Sequence, residues 1–150
     1  MTSSRLPGIL VYNRQRKLTL ERGPLETFAR RALPLCIQAG GMGLTSLVVV
    51  EIVLVSDHTI RKLHRRFLKI DRPTDVITFQ HGEIFISVET AKRQAATHQT
   101  SLDSELRLYL VHGLLHLQGF DDHEPAERRR MGVLQEKIAA AAHLAAGSDG

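Results

Sequence analysis

The sequence predicts an α+β fold in which helices pack against one small mixed β-sheet. Three observations lead to this class. Short segments rich in β-branched residues are mixed with segments of helical period, and two strand-like segments are adjacent along the chain. A length of 150 residues with 43% hydrophobic content is sufficient for one core. The sequence shows no repeat and no linker-like stretch, so we expect a single domain over residues 1–150.

The first part of the chain is predicted to supply two strands and a helix between them. Gly8–Asn13 is predicted to form a short apolar strand. Residues 24–38 place apolar side chains on one side of a helix, although Pro34 disfavours a regular last turn. A glycine-rich break over residues 40–43 follows, and the valine and isoleucine content of residues 47–55 then predicts a central strand.

A basic helix is expected to follow the central strand. Ser56 can cap a helix over residues 57–68. The cations of this segment lie mostly on its outer side, and its inner face is predicted to carry Ile60, Leu63 and Phe67.

The second half of the chain is predicted to contain a hairpin and three helices. Two short strands at residues 76–79 and 84–86 are close enough to pair across a turn. Helices are predicted at residues 88–97 and 102–117, the second starting near Ser101 or Ser104. Pro125 suits the first position of a last helix, whose apolar stripe comprises Met131, Leu134, Ile138 and Ala142.

The segment with the most chemical content is the end of the helix at residues 102–117. His112 and His116 are four residues apart and therefore share one helical face. Gly119 can adopt the left-handed conformation that ends a helix, which lets the chain return towards that face with Asp121, Asp122 and His123. Buried imidazoles need partners, and imidazole is the commonest zinc ligand in proteins. We therefore predict a metal site at the end of a buried helix.

Three protein ligands with one open position are typical of catalytic zinc, which lowers the pKa of bound water to about 7. Zinc is the preferred interpretation, although nickel and copper also accept imidazole. Zinc peptidases of the His-Glu-x-x-His type carry a glutamate beside the first histidine as a general base. Gly113 occupies that place here, which disfavours a peptidase. Gly113 itself indicates either close approach to the metal or tight helix packing.

Composition limits the cellular setting. The longest apolar run is too short to cross a membrane, and the N-terminal residues lack the apolar core of a signal peptide. Cys36 is the only cysteine, so no internal disulfide is possible and a cytoplasmic location is expected. The net charge of +4 permits a nucleic-acid partner without requiring one. An aromatic content of 5% suggests that base stacking does not dominate any RNA binding.

Two motifs of the chain resemble those of a known family. His-Gly-Leu-Leu-His-Leu-Gln-Gly-Phe-Asp-Asp-His, at residues 112–123, is similar to the His-Gly-x-Leu-His-Leu-x-Gly-Tyr-Asp-His signature of the YbeY family, the bacterial rRNA maturation endoribonucleases. Asp-Arg-Pro-Thr-Asp-Val-Ile-Thr-Phe, at residues 71–79, resembles the family's Asp-x-Pro-Thr-Asp-Val-Leu-Ser-Phe. A weaker match, Gly-Glu-Ile at residues 82–84, stands where the family has Gly-Asp-Ile.

The resemblance implies a zinc-dependent nuclease of single-stranded RNA that acts in maturation of the small-subunit rRNA 3′ end and in ribosome quality control. It also implies a basic cleft beside one zinc ion, and the small ribosomal subunit as partner. The family's three histidine ligands carry over to His112, His116 and His123, which would act in catalysis through the metal.

Two departures from the family pattern affect this interpretation. The family's third histidine lies six residues after the second, whereas Asp122 occupies that position here and His123 follows it. Either the loop holds one extra residue and His123 is the third ligand, which we expect, or Asp122 takes its place. Leu68 stands where the family commonly has an arginine thought to face the substrate.

Cations near residue 68 are the candidates for holding the RNA backbone. Because Leu68 cannot hold a phosphate, we assign that role to Arg65, Arg66, Lys69 and Arg72. The adjacent Asp71, Thr74 and Asp75 either satisfy backbone donors in a loop that includes Pro73, which is the role we expect, or line the cleft.

The resulting hypothesis is a zinc-dependent endoribonuclease of ribosome maturation. The first alternative is a ribosome-assembly factor in which zinc only holds the fold, an interpretation that Leu68 favours. The second is a zinc peptidase, which Gly113 disfavours.

Overall fold

A four-stranded mixed sheet covered by five α-helices forms the computed structural model, which describes residues 6–72 and 74–148 and their side chains up to Leu144. The predicted α+β class is confirmed. Pro73, which the sequence places in a loop, lies outside the described residues. The elements are β1 Gly8–Asn13, α1 Arg22–Gln38, a 3₁₀ turn Leu44–Ser46, β2 Val49–Val55, α2 Asp57–Leu68, β3 Val76–Phe79, β4 Glu83–Ser87, α3 Val88–His98, α4 Leu102–Gln118 and α5 Pro125–Ser148.

Two predicted starting points needed correction. α1 begins at Arg22, earlier than the Pro24 expected from the apolar pattern, and it continues through Pro34. The central strand begins at Val49 and not at residue 47, because a 3₁₀ turn over Leu44–Ser46 precedes it and Leu47 is the C-cap of that turn.

The strand order is β1-β2-β4-β3, which places β3 at the edge of the sheet. β1 and β4 both run parallel to β2, whereas β3 pairs antiparallel with β4, as the predicted hairpin requires. Gly82 closes this hairpin with a φ of 121° and accepts no side chain, since a Cβ there would lie 2.7 Å from the carbonyl oxygen of Val49.

The sheet is covered unequally on its two faces. One face packs with α1 and α4 into the main core, in which residues such as Ile52, Ile84 and Leu114 are fully buried. The other face carries a smaller cluster in which Ile60 of α2 packs near Val53 and Ile77. α2 therefore covers only part of this outer face.

The predicted inner face of α2 was partly wrong. Phe67 is 51% exposed and packs edge-to-face on Phe79, with the ring centroids 5.2 Å apart. His64, one turn after Ile60, is buried instead of Phe67. The Nδ1 atom of His64 lies 2.9 Å from the carbonyl oxygen of Arg72. The last turn of α2 thus contacts the edge strand of the sheet but stays largely exposed to solvent.

The carboxyl end of α4 is held by the glycine-rich loop that the sequence marks as a break. The buried Gln118 donates from Nε2 to the carbonyl oxygens of Gly40 and Gly41, at 2.7 and 3.0 Å, and its Oε1 accepts from the amide of Leu44 at 2.9 Å. A Cβ at Gly43 would lie 1.9 Å from the carbonyl oxygen of Leu117. These contacts fix the helix end on which the two histidines stand.

Gly113 is explained by packing. A Cβ at this position would lie 2.6 Å from Cγ2 and 2.9 Å from Cδ1 of Ile84, a side chain with no exposed area. α4 therefore approaches β4 more closely than any side chain at residue 113 would allow.

We expect Gly113→Ala to lower the free energy of unfolding by up to about 2 kcal/mol. Overpacking costs about 1–3 kcal/mol and outweighs the gain of about 1 kcal/mol from replacing a helical glycine. Urea denaturation measures the change. In an Ile84→Ala background, where the obstructing atoms are gone, the same substitution is expected to be neutral or stabilising. A stabilised Gly113→Ala single variant would contradict the packing explanation.

None of the described helices is both long and apolar enough to cross a membrane.

Candidate metal centre

His112 and His116 stand on one face of α4 with their rings 4.6 Å apart. The two Nε2 atoms are separated by 3.1 Å. Both side chains are partly open to solvent, at 25% and 22% exposure, although the helix around them is buried. The i, i+4 spacing therefore places two imidazole nitrogens at one accessible point.

The Nδ1 atom of each imidazole has a hydrogen-bond partner. Nδ1 of His112 lies 2.7 Å from Oε1 of Gln135 on α5, and Nδ1 of His116 lies 3.1 Å from the carbonyl oxygen of Phe120. Both partners are acceptors, so each Nδ1 carries the proton and donates it. The two Nε2 atoms are then left facing each other, and either a shared proton or a metal ion between them can stabilise this arrangement.

A third donor comes from the turn that follows α4. Gly119 ends the helix with a φ of 116°, which turns the chain back towards the histidines. Oδ2 of Asp122 then lies 3.5 Å from Nε2 of His112 and 3.6 Å from Nε2 of His116. These three residues form a group able to hold a metal ion, with all ligand atoms within 4.8 Å of one another.

His123, our expected third ligand, lies apart from this pair of histidines. Its side chain is 82% exposed, and its Nε2 is 3.2 Å from Oδ1 of Asp121. It belongs to a second acidic group with Asp121 and Asp122. Ligation by His123 stays a prediction, but the geometry favours the alternative, because six residues after His116 are sufficient to bring the chain back to the site.

The electrostatics keep His116 available as a ligand. Burial lowers the pKa of His116, and the neighbouring His112 lowers it further, which together outweigh the opposing effect of Asp122. The imidazole is therefore neutral at pH 7, which is the form that binds metals.

The donor set fits a single zinc ion. Tetrahedral zinc with bonds of about 2.0–2.1 Å separates its ligand atoms by about 3.3–3.4 Å. The three separations in this group, 3.1, 3.5 and 3.6 Å, bracket that value. One ion can thus contact all three residues with only small side-chain movements.

A cavity of about 250 Å³ adjoins the centre, lined by His112, Asp122 and Gln135 together with Asp75, Tyr109 and Arg128. Asp75 has both roles that the sequence left open, because its Oδ1 also accepts from the amide of Val76 at 2.8 Å. Burial raises the pKa of Tyr109, as do the carboxylates of Asp75 and Glu105, so its hydroxyl stays protonated at neutral pH. The cavity therefore presents acceptors, one hydroxyl and one cation beside the metal group.

Gln135 and Tyr109 were not predicted from the sequence. Gln135 lies one turn after Met131, within the apolar stripe of α5, and a polar residue in such a stripe is the signal that could have marked it. Tyr109 similarly lies one turn before Gly113, between the apolar residues Leu108 and Leu110.

The predicted RNA-binding cations lie around the end of α2, and all four are exposed. Arg65 and Arg61 both approach Oδ1 of Asp71, at 3.7 and 2.8 Å. The guanidinium of Arg66 lies 5.3 Å from the centre of the Phe67 ring. Lys69 ends the helix in the left-handed conformation, with a φ of 60°. Their role in substrate binding stays a prediction.

We expect Gln135→Leu to weaken zinc binding by about 10–100-fold, because loss of a partner that orients a metal-binding histidine has effects of this size. Gln135→Glu keeps an acceptor for Nδ1 of His112 and is expected to retain affinity. Titration against a chromophoric chelator measures both, with Glu136→Leu, an exposed neighbour on α5, as the control. Wild-type affinity in Gln135→Leu would show that this contact does not orient His112.

Fold and site together define an α+β protein whose two histidines and one carboxylate form a group able to bind a metal. A sequence profile described as "Endoribonuclease YbeY" matches residues 10–143. The chain therefore belongs to the YbeY family of endoribonucleases, as the two motifs indicated.

Individual relatives agree with this assignment. The "Endoribonuclease YbeY" of Acholeplasma laidlawii is 39% identical over 103 residues, which cover 63% of this chain and 75% of that protein. The protein of the same name from Myxococcus xanthus is 39% identical over 104 residues, and the match spans 61% of this chain but only 35% of that longer relative.

A solved structure confirms the fold. The solution structure of TM1509 from Thermotoga maritima matches with a TM-score of 0.66 over 94% of this chain and 93% of that one. Its sequence identity is 24%, so this likeness is evidence for the fold alone.

Proposed function

We propose that the chain is a zinc-dependent endoribonuclease that cleaves single-stranded RNA, with one zinc ion held by His112, His116 and Asp122. The observation that carries this proposal is the convergence of these three donors, with ligand atoms within 4.8 Å of one another, in a chain of the YbeY family. We take Asp122 in preference to His123 because its carboxylate already faces both imidazoles.

Three protein ligands leave a fourth position for water or a phosphate oxygen, as in catalytic zinc sites. Zinc in such a site lowers the pKa of bound water to about 7 and polarises phosphoryl oxygens. Gln135 and the Phe120 carbonyl hold the two imidazoles in the tautomer that leaves Nε2 free for the ion. Asp75 and Asp122 give the cavity negative charge, which favours a cation there.

Cations are needed to hold a scissile phosphate, and Leu68 cannot act as one. Arg128 on α5 lines the cavity beside His112, and we assign it the stabilisation of charge developing on the phosphate. Arg65, Arg66, Lys69 and Arg72 would hold the flanking RNA backbone. Ribosomal RNA, its small-subunit 3′ end and a cytoplasmic location follow from the family as part of the same proposal.

The test is cleavage of single-stranded RNA by the purified chain, measured with and without a chelator and beside double-stranded RNA and a peptide. The proposal predicts cleavage of single-stranded RNA alone, loss of activity with the chelator and recovery with zinc. Cleavage that survives complete metal removal would contradict it. Product ends would also decide the nucleophile, because a 2′,3′-cyclic phosphate indicates the RNA 2′-hydroxyl and excludes direct attack by water.

A further inference from the structure

Three of the five phenylalanines of the chain meet at the edge of the sheet, on the outer face that α2 leaves partly open. Phe79 of β3 contacts Phe67 of α2 and Phe85 of β4 edge-to-face, with centroid distances of 5.2 and 5.7 Å. The ring of His81 stacks on Phe79 at 6.0 Å. We call these four residues, Phe67, Phe79, His81 and Phe85, the aromatic cluster.

Two members of the aromatic cluster are open to solvent, whereas Phe79 and Phe85 are partly buried. Phe67 is 51% exposed, and the side chain of His81 is 70% exposed. The neighbouring Leu68 and Ile70 are also exposed, at 52% and 38%. Contiguous exposed apolar side chains of this kind typically mark a binding surface, because leaving them in water forgoes the free energy of burial.

Charge indicates the kind of ligand. The guanidinium of Arg66 lies over the Phe67 ring, and Lys69 and Arg72 follow within the same exposed segment. A surface that combines aromatic faces with cations matches single-stranded nucleic acid, whose bases stack on the rings while its phosphates contact the cations. An apolar protein partner would not need the cations.

The position of the cluster relates it to the metal centre. Asp75, immediately before β3, lines the cavity beside His112. Gln80, immediately after β3, donates from Nε2 to the carbonyl oxygen of His116 at 3.4 Å. β3 therefore runs beside the metal-binding end of α4, while Phe79 projects into the aromatic cluster. A strand of RNA that crosses this edge strand reaches both.

We propose that the aromatic cluster, through Phe67, stacks an unpaired base of RNA whose backbone continues to the metal centre. The inference rests on the proposed function in taking RNA as the substrate. It also gives a structural reason for selectivity towards single strands, since paired bases have no free face to stack. The low aromatic content argued against this role, but the fold gathers the few aromatic residues into one place.

The experiment measures binding of a short labelled oligoadenylate to the full chain in chelator, so that no cleavage occurs. Phe67→Ala is expected to weaken binding by about fivefold to 150-fold, the range for loss of one base–aromatic stack. Its salt dependence should not change, whereas Arg66→Ala should reduce the slope of log K against log salt by about 0.7. Met42→Ala, which removes another exposed apolar side chain at 79% exposure, is the matched control.

A second variant provides a direct signal. The chain has no tryptophan, so Phe67→Trp introduces a single tryptophan at the proposed stacking position. We expect oligoadenylate to quench its fluorescence and an abasic oligomer of equal length to leave it unchanged. Equal affinity of Phe67→Ala and wild type for oligoadenylate, or absence of quenching in Phe67→Trp at saturation, would overturn the proposal and leave the surface for a protein partner.

Failure of the proposed function gives a different pattern. A chain that binds oligoadenylate through Phe67 but does not cleave it with zinc present supports the stacking site while rejecting the nuclease. A chain that cleaves RNA equally well and with equal affinity after Phe67→Ala rejects the stacking site while supporting the nuclease.

Discussion

His116→Ala is expected to reduce zinc affinity by more than about 100-fold and to lower cleavage of single-stranded RNA to the level seen with chelator. The imidazole supplies one of three ligands, so its loss should exceed the roughly 10–100-fold effect of removing an outer partner. The fold is expected to persist, because the side chain is partly exposed and the ligand atom Nε2 faces no core residue. Zinc per chain after dialysis and the rate of RNA cleavage are the two measurements.

His58→Ala is the control for this experiment, since His58 is exposed and lies outside the metal group. It should bind zinc and cleave RNA as the wild type does. A folded, metal-free His116→Ala variant with full cleavage would reject a role for the metal in catalysis. Full support of ribosome maturation by that variant would favour a binding protein over an enzyme.

Asp122→Ala is expected to have the second-largest effect, a loss of zinc affinity of about 100-fold or more with a matching loss of cleavage. Oδ2 of Asp122 faces both imidazoles, whereas His123 is 82% exposed and faces Asp121. His123→Ala should therefore change zinc affinity by less than about threefold, within the range of a surface change. Chelator-competition titrations of both variants make the comparison.

Asp122→His provides a further check on the third ligand. It places a histidine six residues after His116, the spacing of the family signature, and is expected to retain zinc binding. If His123→Ala loses zinc while Asp122→Ala keeps it, the loop rearranges on metal binding and the extra-residue interpretation is correct.

Local sequence signals predicted the elements and the proximity of His112 and His116. The four-residue spacing of His112 and His116, the cap at Ser56 and the glycine at 119 act within one or two helical turns, so they could be found from the chain alone. β3 and β4 are also close in the sequence, so their antiparallel pairing could be predicted in the same way.

Contacts between distant segments could not be predicted in the same way. The contact between Gln135 and His112 joins two helices across 23 residues, and it depends on how α5 packs against α4. The clash that requires Gly113 arises from Ile84 on another element. The aromatic cluster combines α2, β3 and β4, so neither composition nor periodicity could reveal it. The orientation of Asp122 depends on the backbone after Gly119, which spacing alone leaves open.

X-ray absorption at the zinc edge of the zinc-loaded chain can establish the ligands of the ion, because it counts the imidazoles bound to it. We expect one zinc per chain with two imidazoles, further oxygen ligands that include an exchangeable water, and one imidazole fewer in His116→Ala. A spectrum with three imidazoles would show that His123 binds in place of Asp122. Four protein ligands around the ion, or less than one zinc per chain, would contradict the proposal that this site is a catalytic zinc centre.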